Sequence, residues 1–172
     1  MNATPPSSVT GNALEPRVFE GRNAFQAAVR EAFASIADAG PREMWMCDED
    51  FADWPLNEVQ VVAQLSRWAR GGRQCTVLAL NYDRVPQLHP RWVQWRRQQG
   101  HVVTCRAPDE VDVARLPCVL LAPGVVTLRL VDRVRFRGSL STGPADAFRE
   151  REHIDALLQR SVDAFPASTL GL

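Results

Sequence analysis

Residues 116–141, LPCVLLAPGVVTLRLVDRVRFRGSLS, decide the fold class of this chain. The stretch is rich in β-branched and other apolar residues, with polar or small residues between the runs. This pattern predicts three consecutive strands, with a hairpin turn at Asp132-Arg133 and a strand exit at Gly138-Ser139. Strands that follow one another through short turns pair antiparallel. We therefore expect the stretch to add three antiparallel strands to a sheet built by the rest of the chain.

The rest of the chain alternates helical and strand patterns. Apolar residues recur at helical spacing in some segments, and continuous apolar runs between them are typical of strands buried on both faces. The predicted helices cover residues 23–39, 57–70 and 145–165, and a further helix begins at Pro90 and ends at Gly100. The predicted strands cover residues 44–47, 75–80 and 102–105. Strands separated by helices pair in parallel through right-handed crossovers. This order predicts an α/β domain with a mixed β-sheet sandwiched between helices.

Two of the helix starts carry the same polar signal. Asn23 is followed by Gln26, and Asn57 by Gln60, which is the spacing of a capping box. At the other end of the chain, Val162 continues the apolar stripe of the final helix. We therefore expect Asn23 and Asn57 to cap their helices, and Val162 to face inward.

Length and composition limit the classes of protein to consider. At 172 residues the chain is long enough for one domain that folds without disulfides or a metal. The composition predicts a disordered tail over residues 1–16 and a single α/β domain over residues 17–172. Within that domain, residues 109–114 are predicted to form a polar linker. A formal net charge of zero provides no global field for nucleic acid or a membrane surface. No apolar run could span a membrane and no signal-peptide pattern is present, so we expect a cytoplasmic protein with no membrane partner.

The basic residues and the cysteines exclude several chemistries. All 20 basic residues are arginine, so the chain has neither a Schiff-base lysine nor a P-loop lysine. The cysteines, at positions 47, 75, 105 and 118, lie in or beside apolar runs without metal-ligand spacing. They predict buried free thiols in a reducing compartment. We expect no metal and no cofactor.

The order of elements, together with Asp132 between two strands and Gly138-Ser139 before a helix, resembles a single phospholipase D-like domain. That family carries a signature of His, one residue, Lys, four residues and Asp, followed by a Gly-Ser pair. Its His attacks phosphorus and its Lys holds the phosphate oxygens. In this chain the His position falls on Val125 and the Lys position on Thr127. One residue fewer separates Asp132 from Gly138 than separates the Asp from the Gly-Ser pair in the family signature.

The resemblance covers most of residues 17–165 and implies the family's fold. It also implies possible pairing of two copies, since single phospholipase D-like domains often form homodimers. Phosphoryl transfer needs a nucleophile and a cationic cradle for the developing charge. Val125 provides neither a lone pair nor a proton, and no lysine exists elsewhere to substitute. We therefore expect no catalytic residues and no phosphodiesterase activity, since a shared fold does not imply a shared function.

The hairpin carries a run of arginines that has two interpretations. In an uninterrupted strand pattern, one set of side chains would face out and the other would face the core. The outward set would be Arg129, Arg133, Arg135 and Arg137, and the inward set would be Leu128, Leu130, Val134 and Phe136. Four guanidinium groups on one side could bind phosphate or nucleic acid. The simpler interpretation is a solvated face, paired with acidic residues of the final helix such as Asp146, Glu150, Glu152 or Asp155.

The acidic loop after the first long strand is a second candidate site. Asp48-Glu49-Asp50 and Asp53 lie where ligands of open α/β sheets tend to bind. Their spacing matches no calcium loop, so a solvated loop that caps the next helix is favoured. Trp54, next to them, is either a core residue or an interface anchor.

Two further groups of residues complete the candidates. The three histidines, His89, His101 and His153, have no metal-ligand spacing. The segment RWVQWRR, residues 91–97, interleaves aromatic and basic residues, a pattern that can stack bases. Burial of Trp92 against the core is the commoner outcome at this spacing.

The sequence predicts a non-catalytic phospholipase D-like domain that acts as a binding or protein-interaction module. Its partner would be an unidentified protein or a second copy of the chain. One alternative is nucleic-acid or phosphate-anion binding through the arginine hairpin. The other is an enzyme of unrecognised chemistry that uses the acidic loop, His101 or His153.

Overall fold

The computed structural model describes residues 13–109 and 116–167. Its strands are β1 (Arg17–Phe19), β2 (Glu43–Asp48), β3 (Gln74–Ala79), β4 (Val103–Pro108), β5 (Cys118–Ala122), β6 (Val126–Asp132), β7 (Arg137–Ser141) and β8 (Ser161–Asp163). Its helices are α1 (Arg22–Ala39), α2 (Val59–Trp68), α3 (Val85–Leu88), α4 (Pro90–Gln98) and α5 (Pro144–Leu158). The long elements agree with the predicted ones, whereas the short elements β1, α3 and β8 were not predicted.

These strands form one mixed sheet in the order β1-β7-β6-β5-β2-β3-β4-β8. Strands β2, β3 and β4 pair in parallel, as predicted for strands joined by helical crossovers. Strand β5 lies antiparallel to β2, and β6 and β7 follow as antiparallel neighbours. The prediction that residues 116–141 supply three antiparallel strands is confirmed.

Helices cover both faces of the sheet, which confirms the predicted sandwich. On one face, Phe33 of α1, Leu65 of α2 and Trp92 of α4 belong to the larger core cluster. On the opposite face, Ile154 and Leu157 of α5 pack in a smaller cluster with Val119 and Leu121 of β5 and Trp45 of β2.

Strand β5 lies near the middle of the sheet and is buried at every position. Leu120 belongs to the larger cluster, while Val119 and Leu121 belong to the cluster under α5. The sequence CVLLA is therefore apolar throughout because a strand covered on both faces has no solvated side.

Both predicted capping boxes are wrong. Helix α1 starts after Gly21, whose φ of 99° favours glycine, so Asn23 lies inside the first turn. Gln26 instead donates a 2.9 Å hydrogen bond to the carbonyl oxygen of Asp53. Helix α2 starts after Glu58, and the Oδ1 of Asn57 accepts a hydrogen bond from a backbone N–H at the start of α4. The polar side chains serve tertiary contacts that sequence spacing does not reveal.

The final helix is shorter than predicted. It ends at Leu158, and the following residues form β8, which pairs with the edge of β4. Pairing with that open edge satisfies backbone groups that would otherwise have no partner in the sheet. Val162 is consequently exposed rather than inward, whereas Phe165 stacks on Tyr82 with 5.2 Å between ring centroids.

The cysteines are buried free thiols, as predicted. Burial raises the pKa of each of these thiols, which keeps them protonated near neutral pH. Among the described helices, none has the length and apolar character needed to cross a membrane.

Parts of two predictions fall outside the described residues. Of the predicted tail, residues 1–12 lie outside them, while Leu14 packs against the larger core cluster. Of the predicted linker, residues 110–114 lie outside them. The N–H of Asp109 donates a 2.8 Å hydrogen bond to the carbonyl oxygen of Arg160.

Candidate functional site

Val125 and Thr127, which the resemblance assigns to the positions of a nucleophile and its lysine, lie where β6 begins. The backbone N–H of Val125 donates a 3.0 Å hydrogen bond to Ala122, which closes the turn between β5 and β6. Gly124, within that turn, has a φ of 80°. Thr127 follows on β6, where only 3% of its surface is exposed. Its hydroxyl has no hydrogen-bond partner within the described part of the chain.

A cavity of about 500 Å³ opens beside Val125. Its wall includes Leu14, Ser35 and Thr142, but its described lining holds no histidine, cysteine or arginine. The one carboxylate in that lining, Asp38, forms a 2.6 Å ion pair with Arg67. The described lining therefore offers only the hydroxyls of Ser35 and Thr142 as nucleophiles, with no histidine to activate them and no cation to hold a phosphate.

The motif residues that remain have structural roles. The Oδ1 of Asp132 accepts hydrogen bonds from the backbone N–H groups of Arg135 and Val134, at 3.0 and 2.9 Å. These bonds lower the pKa of Asp132. A Cβ on Gly138 would lie 2.2 Å from the backbone oxygen of Arg129, so this position requires glycine. Ser139 lies between Arg129 and β1 in the sheet. Turn formation and close strand packing explain Asp132 and Gly138 without catalysis.

The arginines of the hairpin do not share one face, contrary to the simple alternation. Strand β6 ends at Asp132 and β7 begins at Arg137, so the turn spans four residues instead of lying at Asp132-Arg133. Phe136 has a φ of 50°, and Val134 is 91% exposed instead of facing the core. The turn breaks the period-two pattern because its backbone is no longer extended.

Two of these arginines are held by carboxylates on different sides. Arg129 forms a 2.8 Å ion pair with Glu150 of α5, as the solvated-face interpretation predicted. Arg133 turns the other way and forms a 2.6 Å ion pair with Asp48. Arg135 and Arg137 are exposed, and their guanidinium groups have no ion pair within the described part of the chain. The hypothetical anion site is therefore reduced to these two side chains.

Asp48 and Arg133 lie on a small pocket of about 250 Å³ at the carboxyl end of β2. Asp48 is only 4% exposed, which corrects the prediction of a fully solvated acidic loop. Its Oδ2 accepts a 2.9 Å hydrogen bond from the N–H of Phe51. Burial disfavours the charge of Arg133, but Asp48 and Glu49 outweigh this and raise its pKa. The pocket holds a buried ion pair that links two distant parts of the chain.

The other acidic residues of this loop are also paired. Asp50 lies 3.6 Å from a guanidinium nitrogen of Arg84, and Asp53 lies 2.9 Å from one of Arg22. Within the described ranges, no group of three or more His, Cys, Asp or Glu side chains could hold a metal ion. Trp54, beside the loop, is a core residue. These charges form a network suited to holding the loop in place.

The histidines do not converge on the pocket or on the motif. His89 is buried, and its Nε2 lies 2.7 Å from the carbonyl oxygen of Phe51. Burial lowers the pKa of His89, which favours the neutral ring. His101 is exposed in the turn before β4, and His153 is half-buried on α5. In helix α4, Trp92 is buried in the core as predicted.

Sequence reasoning missed Glu150 as a buried residue, although a signal was present. Glu150 is one of four buried residues of α5 at helical spacing, with Ala147, Ile154 and Leu157. A carboxylate on an otherwise apolar stripe indicates a charged partner below it. That partner is Arg129, and the second oxygen of Glu150 has no hydrogen-bond partner among the described residues.

Comparison with solved structures identifies the fold. An archaeal chromatin protein with a novel mode of DNA binding, TrmBL2, superposes with a TM-score of 0.65 at 13% identity, over 92% of this chain and 57% of that one. Nuc from Salmonella typhimurium, a phospholipase D family member, gives 0.55 at 13% identity, over 87% and 99% of the two chains. NucT from Helicobacter pylori gives 0.57 at 8% identity, also over 87% and 99%.

The chain thus has a phospholipase D-like fold and spans little more than half of the archaeal protein. No protein-family model matches the sequence, and no curated protein matches it significantly. Superposition at such low identity establishes the fold alone. The function has to be inferred from the residues of the site.

Proposed function

We propose that this chain is a non-catalytic phospholipase D-like domain that acts as a protein-interaction module. The proposal is carried by the residues at the two positions that the resemblance assigns to a nucleophile and its lysine, which are Val125 and Thr127. Thr127 is buried, and the described lining of the cavity at Val125 holds no histidine, while its one carboxylate, Asp38, is paired with Arg67. The retained Asp132 and Gly138 serve the hairpin, so nothing in the motif requires a reaction to explain it.

The surface proposed for interaction is the outer part of the sheet face that carries α5. Val18 of β1 lies opposite Ser139, which lies opposite Arg129, so these three side chains share that face. Val18 is exposed, as are Val131 of β6 and Phe148 of α5. Exposed apolar side chains near a cation are typical of the surfaces that bind other proteins.

The absence of catalysis is tested with a phosphodiesterase assay. Purified protein is incubated with bis(p-nitrophenyl) phosphate and with single-stranded DNA, beside an active phospholipase D-like nuclease as positive control. We expect no turnover above the buffer rate. Turnover that copurifies with the chain through two different columns would contradict the proposal.

The interaction surface is tested by affinity capture and by light scattering, which separates a foreign protein from a second copy. The double variant Val18→Asp with Val131→Asp is expected to lose the partner. Val134→Asp, at an exposed position of the hairpin turn, is the control and is expected to keep it. Equal binding by the double variant and the control would exclude this surface.

A second candidate function is binding of a phosphate-bearing polymer by Arg135 and Arg137. It is favoured by their exposure without ion pairs within the described part of the chain and by the DNA-binding archaeal neighbour. Phosphate contacts make binding salt-dependent. Charge reversal at both positions is expected to weaken DNA binding at least about tenfold in an anisotropy titration. The control, Arg70→Glu with Arg97→Glu, changes net charge equally, and equal loss there would indicate nonspecific attraction.

A further inference from the structure

Helix α4 buries an arginine that has no acidic partner among the described residues. Only 5% of the surface of Arg96 is exposed, and its Nε donates a 3.3 Å hydrogen bond to the sulfur of Cys105 on β4. Its Nη1 is buried and has no hydrogen-bond partner within the described ranges. No described carboxylate forms an ion pair with it. A buried guanidinium group is almost always paired, so this one requires a source of negative charge.

Neighbouring groups do not supply that charge. Sulfur is a weak acceptor, and burial raises the pKa of Cys105 although Arg96 opposes the shift. Its thiol is therefore protonated at neutral pH. Asp163 lies on the same cavity, but its Oδ1 accepts a 2.6 Å hydrogen bond from Arg106 and its side chain is exposed. The described surroundings of Arg96 thus hold no free anion.

Space for an external anion exists next to this side chain. Arg96 lines a cavity of about 390 Å³ between α4, β4 and the segment that follows β8. Gly100 forms part of its wall close to Ala167, and Ala164 forms another part. This volume accommodates a small molecule that carries a carboxylate or phosphate group.

We propose that this cavity is a binding site for a small oxyanion, which Arg96 holds through its buried guanidinium group. Guanidinium groups bind carboxylate and phosphate oxygens with strong, charge-assisted hydrogen bonds. Arg96 does so from a rigid position, because it follows the buried Trp92 and Trp95 on the core side of α4. The cavity volume of about 390 Å³ limits the ligand to a compact anion, and Arg106 offsets the nearby charge of Asp163.

The site is independent of the proposed function. It lies at the β4–β8 edge, whereas the proposed interaction surface and the exposed arginines lie near β1, β6 and β7 at the other end of the strand order. Binding at Arg96 can therefore succeed or fail without any change in the outcome of the interaction and DNA experiments.

The test follows the Nε–Hε signal of Arg96 by nuclear magnetic resonance in ¹⁵N-labelled protein. Sodium phosphate and sodium acetate are titrated separately against sodium chloride at matched ionic strength. Triple-resonance spectra of ¹³C,¹⁵N-labelled wild type assign the signal, and Arg96→Gln serves as the site variant. Arg97→Gln changes the exposed neighbour on the same helix and is the control.

We expect a saturable shift of the Arg96 signal, with half-saturation below about 10 mM, in wild type and in the Arg97 variant. A shift with phosphate, with acetate or with both supports the site and defines the ligand class. The proposal is overturned if neither anion produces a saturable shift of the Arg96 signal. It is also overturned if the side-chain signal of Arg97 shifts by the same amount as that of Arg96. Because the wild-type titration is sufficient, poor folding of the Arg96 variant leaves the test intact.

Discussion

The Nη1 of Arg133 lies 2.6 Å from the Oδ1 of Asp48. The first residue belongs to the turn between β6 and β7, and the second ends β2. The bond therefore joins the hairpin to the acidic loop at the pocket that both residues line. Because Asp48 is almost fully buried, water contributes little to the stabilisation of its charge. Asp48 therefore needs its arginine partner more than the exposed carboxylates need their arginine partners.

Loss of this arginine is expected to destabilise the fold. Arg133→Met leaves a buried carboxylate without its cation, and we expect a loss of about 2 kcal/mol, less than for a fully buried pair because Arg133 is 35% exposed. Urea unfolding measures the change. Arg135→Met, in the same turn and without an ion pair among the described residues, is the control and is expected to change stability by less than about 0.5 kcal/mol.

The double variant separates charge from packing. Asp48→Asn combined with Arg133→Met removes both charges, so it is expected to be more stable than Arg133→Met alone. If the double variant is the less stable of the two, Asp48 contributes through its hydrogen bond to Phe51 more than through its charge.

Gly138→Ala is expected to lower stability by at least about 3 kcal/mol, because the added carbon meets a backbone oxygen of β6 at 2.2 Å. Thermal unfolding followed by circular dichroism measures the loss. Gly143→Ala is the matched control, since its added carbon finds the nearest described atom at 3.5 Å. A loss of no more than about 1 kcal/mol is expected there, because Gly143 is the N-cap of α5 and alanine is a poorer N-cap than glycine. Similar losses at both positions would contradict a specific strand contact at Gly138, since the lower entropy of the unfolded chain alone makes Gly→Ala stabilising.

Thr127→Val is expected to stabilise the protein by about 1 kcal/mol, since it removes a buried hydroxyl that has no described partner and keeps the side-chain shape. Chemical denaturation detects a gain of this size. Thr142→Val, at an exposed threonine, is expected to have almost no effect. A loss of stability on Thr127→Val would show that the hydroxyl is bound, either to an ordered water or to a ligand.

The pKa of His89 predicts a dependence of stability on pH. Burial lowers the folded-state pKa below the ordinary value of 6.5, so the unfolded chain binds a proton more readily than the folded one. The contribution of His89 to stability is therefore present above pH 6.5 and declines as the pH falls below that value.

The comparison with a glutamine variant isolates this contribution. His89→Gln places an amide nitrogen where Nε2 faces the carbonyl oxygen of Phe51. We expect the difference in unfolding free energy between wild type and this variant to shift against wild type from pH 7 to pH 5. His101→Gln, at an exposed histidine, is the control for the loss of a histidine side chain. A parallel profile for His89→Gln would contradict the buried neutral ring.

The central part of the fold could be predicted because its signals are local. A strand covered on both faces must be apolar throughout, as CVLLA in β5 is. Strands β1 and β8 have only three residues each and lie at the edges of the sheet. Each of them pairs with the otherwise unpaired backbone edge of β7 or β4. A three-residue segment is too short to show the alternation of apolar and polar residues that would predict such a strand.

The site could be predicted only in part. The assignment of Val125 to the nucleophile position remains a prediction from motif spacing. The pairing of Arg133 with Asp48 could not be predicted, since these residues are far apart in the chain and meet only after β5 inserts beside β2. The burial of Arg96 depends in the same way on which side of α4 faces the sheet.

The shortness of β1 has a consequence for opening of the native state. Its hydrogen bonds join residues 17–19 to β7, on the order of 120 positions later in the chain. Few bonds hold this segment, so its release is expected to require less free energy than global unfolding. Backbone amides of β7 that face β1 should then exchange with solvent hydrogen faster than those shared by β5 and β2. Each release also uncovers a free strand edge, which makes this corner of the domain the first place where two molecules could join backbone to backbone.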